Sequence, residues 1–264
     1  MQVCSVCADF CISIFRYSKY PQLIQIQQSD CCISAIIFIV RVEPFSIDSY
    51  VHIVKRGARG MPITGDEFDR QRFVRLLFYM NDEYVDDNWD RIKVTKNLTR
   101  QNSWPQRKPL VQVLAFTLMP NHMHLLLREI RDGGVSAFMQ KVGQSMTNHY
   151  NEKYAEHGSI FQGSYKSRTI ETDEYLRYAS AYIMVKNVFE LYPRGGLQTA
   201  AKHFEDAWKW GITYPFSSLA HYAGIRTLVV DDNVLEEIFP TARAYKSFAR
   251  DVIEGGKWSQ TEFE

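Results

Sequence analysis

Residues 111–128, VQVLAFTLMPNHMHLLLR, decide how the chain is read. Val111 to Met119 is a continuous apolar run rich in β-formers, and Leu125 to Leu127 resumes it after the break at Pro120-Asn121. With Pro109 before it and Arg128-Glu129 after it, the stretch predicts two strands meeting at Pro120-Asn121, or one bent strand. His122 and His124 are two apart on the second piece, and side chains two apart on a strand share a face. Their imidazoles therefore project side by side, with Met123 and Leu125 on the opposite face. Neutral imidazole nitrogens so placed can chelate a divalent ion. A His-x-His in a strand is also a common accident, so the rest of the chain must decide.

Working outward, Ser49 to Lys55 (SYVHIVK) predicts a strand, followed by the turn-prone Arg56-Gly57-Ala58-Arg59-Gly60. His52, inside this strand, is expected to be a packed strand residue. Thr64-Gly65-Asp66-Glu67 supplies capping oxygens and early-turn acids for a helix running to about Tyr84, with Phe73, Leu76, Leu77 and Met80 at helical spacing. A weak strand is expected at Arg91–Val94 and a polar loop over 95–109. After Asp132-Gly133-Gly134 a second helix is expected from Ser136, where Phe138, Val142, Met146, Tyr150 and Tyr154 form an apolar stripe. The glycine-rich segment 157–168 carries aromatics between basic groups, a pattern suited to stacking bases while cations meet phosphate. A third helix is expected from the cap Thr172 to about Leu191, before Pro193 and Gly195-Gly196. Strand–helix–strand–strand–helix–strand–helix is an α+β order compatible with a ferredoxin-like antiparallel sheet flanked by helices. Residues 193–264 read as a small helical C-terminal extension. It holds a Tyr214–Ser218 turn, a helical stretch around Asn233–Phe239 and another from Thr241 to about Ile253.

The chain has 264 residues and a net charge of +1, so total charge does not announce a polyanionic partner. Its distribution says more: Asp82 to Asp90 holds five acids in nine residues, whereas Arg91 to Arg128 holds seven basic residues and no acid. A local basic stretch can serve a polyanion even when the whole is neutral. All five cysteines lie within the first 32 residues, so the body has no disulfide framework and fits a reducing compartment. The apolar run Cys31 to Val40 is about half the ~20 residues that span a bilayer, so no membrane partner is expected. Residues 1–45 look foreign to the remainder: a poorly packed extension, as would follow from a start codon placed too early.

Three segments in order, MPNHMHLLL (119–127), GSIFQGSYKSRTIETDEYLRYASAYI (158–183) and YPFSSLAHYAG (214–224), resemble the single-tyrosine HUH transposases, in particular the REP-associated tyrosine transposase branch. The resemblance covers roughly residues 49–224. It implies a DNA-nicking domain over 46–192 that cuts single-stranded or hairpin DNA near an imperfect palindrome and acts in the cytoplasm of a prokaryotic cell, associated with the nucleoid. It also implies a divalent ion, magnesium or manganese, held by His122 and His124, and a possible homodimer. Tyr182 matches the nucleophile of the family, which forms a 5′-phosphotyrosine and frees a 3′-hydroxyl. A phenol with an ordinary pKa of ~10 needs an activated phosphate as its electrophile.

One position departs from the family pattern, in which an amide or acid four residues after the tyrosine completes the metal site. Here that position is Lys186, and Asn187 follows it. An ammonium cannot ligate a metal, and position i+5 is rotated well away from i on an α-helix. Three outcomes are open: the helix is adjusted so that Asn187 serves as metal ligand, water takes that place, or Lys186 meets phosphate. Arg56, Arg59, Lys93, Lys96, Arg100, Lys166, Arg168 and Lys186 are the candidate DNA-phosphate contacts. Besides a nicking and rejoining enzyme, two readings stand: a hairpin-binding protein that has lost turnover, and a His-x-His metal hydrolase with water as nucleophile.

Overall fold

YVHIVKR, buried on both faces from Val51 to Lys55, forms the centre of the sheet. The computed structural model describes residues 45–91, 98–231 and 234–256. Strand β1 (Tyr50–Arg56) lies between β3 (His122–Glu129) and β4 (Lys166–Ile170), and β2 (Val111–Leu118) pairs with the far side of β3. All of these pairings are antiparallel, in the order β2-β3-β1-β4. With α1 (Glu67–Tyr79) between β1 and β2, and α2 (Gly134–Tyr154) between β3 and β4, the chain has the expected ferredoxin-like α+β topology. Pro120 and Asn121 make the β2–β3 connection, so the run is two strands and not one bent strand.

The sheet buries both faces. Phe116 on β2 meets Phe73 of α1, and Lys55 on β1 lies against Gly143 of α2, so α1 and α2 cover the face that carries Ile53, Lys55, Met123 and Leu125. The other face carries His52, Val54 and Arg56 on β1 with His122 and His124 on β3, because Val54 stands opposite His124 and Arg56 opposite His122. Across it runs the expected third helix, α3 (Asp173–Ala181), capped by the Thr172 side chain accepting from Tyr175 N–H. It continues through a π-helical segment, Tyr182–Lys186, into α4 (Asn187–Glu190).

Boundaries moved where side chains intervene. Helix α1 ends at Tyr79 rather than near Tyr84, because the buried Asn81 carbonyl oxygen accepts from Leu110 and Val111 N–H while its amide donates to Val111 O, which starts β2 instead. Helix α2 begins two residues early, at Gly134, because the Glu129 carboxylate accepts Val135 N–H at 2.8 Å and acts as a cap reached through tertiary structure. The strand expected at Arg91–Val94 lies almost wholly outside the described residues; Arg91 itself ends a short 3-10 turn.

The C-terminal residues do more than the sequence suggests. Helices α5 (Gly196–Lys202), α6 (Phe204–Gly211) and α7 (Leu219–Tyr222) were not expected, whereas α8 (Val234–Ile238) and α9 (Ala242–Glu254) were. Phe204 packs its ring on Phe189, and Tyr222 donates to Leu114 O at 2.7 Å. Ser217 bridges to Thr117, Leu118 N–H donates to Phe216 O, and Phe116 N–H donates to Ser218 Oγ. This segment thus covers the edge of β2, which would otherwise present bare peptide groups to any passing strand. Among the described residues no helix is long and apolar enough to cross a membrane.

Candidate active site

Each imidazole of the pair is held by a different neighbour. His122 Nδ1 lies 2.6 Å from Asn121 Oδ1, and Asn121 Nδ2 donates to Gly60 O, which fixes the amide with its oxygen toward the ring. An amide oxygen only accepts, so His122 carries its proton on Nδ1, and Nε2 is the nitrogen able to ligate. His124 Nδ1 lies 2.9 Å from His52 Nε2, and these two rings stack with centroids 5.2 Å apart. Burial, reinforced for His52 by the nearby Arg168, pulls its pKa from 6.5 to about 3. Burial first, and then the neighbouring His52, His122 and cations, push His124 well below its usual value. Both rings are therefore neutral, which is the form that binds metal.

Tyr182 stands at the junction of α3 and the π-helical segment, with its ring edge-on to His124 at 5.7 Å and to His52 at 6.1 Å between centroids. Sheet and helix are joined by Thr117, whose Oγ1 donates to Ile183 O at 2.7 Å inside the π segment. The segment matters because of Asn187. In a regular α-helix a residue five positions on lies ~140° around the axis. Here Asn187 N–H donates to Tyr182 O, the i→i+5 bond of a wider turn, so one extra residue is absorbed and Asn187 returns to the side of Tyr182. The helix is thus locally adjusted at this point, which the first of the three outcomes left open by the sequence requires. Asn187 is fully buried, and neither Oδ1 nor Nδ2 has a hydrogen-bond partner among the described residues. The same holds for His124 Nε2.

Buried polar atoms left in this condition cost free energy unless something binds them. Two imidazole nitrogens and an amide oxygen are donor types that could hold a divalent ion such as manganese or magnesium, with further oxygen ligands from substrate or solvent. No group of three His, Cys, Asp or Glu side chains suited to a metal occurs among the described residues.

Lys186 is turned back on its own helix. Its Nζ lies 3.4 Å from Tyr182 Oη, 4.5 Å from the centre of that ring and 2.8 Å from Glu190 Oε1. Burial opposes its charge, but Glu190 and Tyr182 together outweigh burial and raise its pKa. Of the other basic candidates, Arg56, Lys166 and Arg168 stand exposed on the histidine face, since Lys166 pairs with Val54 and Arg168 with His52. A pocket of about 340 Å³ lined by Val54, Arg56, Gln162, Ser164 and Lys166 opens on that face. Arg59 is exposed in the turn after β1, beside a pocket that Tyr150 and His157 help to line. Arg100 is tied to Asp82 at 2.8 Å and to Pro105 O, away from the histidines. Lys93 and Lys96 lie outside the described residues. Sequence reasoning passed over the contact of His52 with His124, visible only in the strand register, and left the local adjustment of the helix at Lys186-Asn187 as one of three alternatives.

Residues 93–186 match the family model described as transposase IS200-like, in line with the resemblance seen in the motifs. No curated protein matches the chain. A solved structure of a REP-associated tyrosine transposase bound to a REP hairpin is similar over 74% of this chain and 92% of that one, at 14% identity and a TM-score of 0.41.

Proposed function

We propose that the chain is a divalent-metal-dependent enzyme that nicks and rejoins single-stranded DNA at hairpin sites, with Tyr182 as nucleophile. The observation that carries the reading is the π-helical return of Asn187 to the side of Tyr182, whose ring lies edge-on to the buried His124. His122, His124 and Asn187 would hold the ion, which when bound polarises the scissile phosphate and neutralises its charge. Arg56, Lys166 and Arg168 line the approach and would bind the flanking phosphates. The Tyr182 oxygen attacks phosphorus as its proton passes to solvent. The bond from phosphorus to the 3′-oxygen breaks, and that oxygen leaves and takes up a proton. A 5′-phosphotyrosine and a 3′-hydroxyl result, and attack by a 3′-hydroxyl on the phosphotyrosine reverses the steps and rejoins DNA. Lys186, as an ammonium beside Tyr182 Oη, favours the negative charge that develops on the phenol oxygen during attack.

The same Lys186 contact favours a second reading. A lysine clamped between the tyrosine and Glu190 could hold the phenol in an unreactive setting and leave a protein that only binds hairpins. The test is to incubate the full chain with labelled hairpin-bearing single strands and manganese, then look for a covalent adduct under denaturing conditions. An adduct that disappears in Tyr182→Phe supports the enzyme. Hairpin binding without any adduct supports the second reading, and absence of both refutes the two together.

A further inference from the structure

The β1–β3 register brings a third imidazole beneath the pair. His52 is diagonal to His124, two residues before Val54 on the shared face, which places the two side chains within reach of each other. Their nitrogens meet at 2.9 Å, with both rings buried and stacked 18° from parallel. One hydrogen joins these two nitrogens, and its position decides what His124 can do. If His52 Nε2 donates it, His124 carries its own proton on Nε2, and a buried N–H there has no acceptor among the described residues. If His124 Nδ1 donates it, Nε2 carries the lone pair, on the nitrogen that the donor set requires.

We infer that His52 is a positioning residue: it accepts the Nδ1–H of His124 and thereby holds that ring in the tautomer that presents Nε2 to a divalent ion. Asn121 does the same for His122, so each ligand has a dedicated orienting acceptor, one from the β2–β3 turn and one from β1. A packing histidine would need none of this polarity. The inference rests on the metal reading above.

Manganese binding to the full chain, followed by electron paramagnetic resonance, separates the two ideas. His124→Ala, which removes a ligand, is expected to abolish the bound signal. His52→Phe keeps a ring but removes the acceptor and is expected to weaken binding about 10- to 100-fold, whereas His52→Gln, whose amide oxygen can accept at a similar reach, restores most of it. If His52→Phe binds manganese as tightly as the unmodified protein while His124→Ala does not bind, the role of His52 is overturned and the metal site stands. If the unmodified protein binds none, or His124→Ala binds equally well, both fall. Long-range proton–nitrogen spectra of the unmodified, metal-free protein provide a check that does not depend on variants folding: His124 is expected with its proton on Nδ1, and a proton on Nε2 overturns the inference.

Discussion

Asn187→Leu is the perturbation with the sharpest consequence. The side chain is fully buried, and both of its polar atoms have no partner among the described residues. A buried donor or acceptor left unsatisfied costs ~1–3 kcal/mol, and leucine has a similar shape without that cost. In the presence of a chelator the variant should therefore be more stable than the parent by about 1–3 kcal/mol. At ~2–4 °C per kcal/mol for a domain of this size, the melting temperature rises by roughly 2–12 °C. Manganese reverses the order. An ion that binds only the folded state stabilises by about 2.7 kcal/mol at 100 times its dissociation constant, and the parent should gain this while the variant gains little. Paired thermal or urea melts in chelator and in manganese measure both quantities. A variant less stable than the parent in chelator would mean that the amide is satisfied in solution. A variant that keeps the full manganese increment would remove Asn187 from the ligand set.

Asp69 joins α1 to α2: its carboxylate accepts from Gly65 N–H, His149 Nε2, Lys153 Nζ and Tyr154 Oη. Burial alone would raise its pKa, but these donors outweigh burial and hold it below the ordinary carboxylate range. Because the folded-state pKa is depressed, the stabilisation is complete above the unfolded value of ~3.9 and is lost as pH falls below it. Asp69→Asn should cost about 2–3 kcal/mol at pH 7 in urea melts, and the difference should shrink below pH ~4. Arg56→Ala, Lys166→Ala and Arg168→Ala should each weaken hairpin binding and lower the slope of log affinity against log salt by ~0.7–0.9, measured by fluorescence anisotropy over a salt series. An unchanged slope would remove that residue from the interface. Truncation after Tyr192 removes Ser217, Ser218 and Tyr222 from the edge of β2 and should give an aggregating chain; a soluble monomer with native melting behaviour would contradict the edge-covering role.

Local sequence determined a good deal here, because the forces involved act over short ranges of chain. Runs of β-formers placed β1, β2 and β3, Asp66 and Thr172 capped their helices, and His-x-His on one strand put two imidazoles on one face. Where elements stopped was decided by partners distant in sequence: Asn81 ends α1 by bonding to Leu110 and Val111, and Glu129 starts α2 early. The same division runs through the site. His122 and His124 could be named from spacing and Tyr182 from the family resemblance, but Asn187 stayed one of three alternatives, since spacing assumes 3.6 residues per turn and a π-helical segment changes that count. His52 could not be told from an ordinary packed residue, because its contact with His124 spans 72 positions and exists only once β1 and β3 pair in register. Periodicity reports which face a side chain takes; only the folded sheet decides which other side chain it meets there.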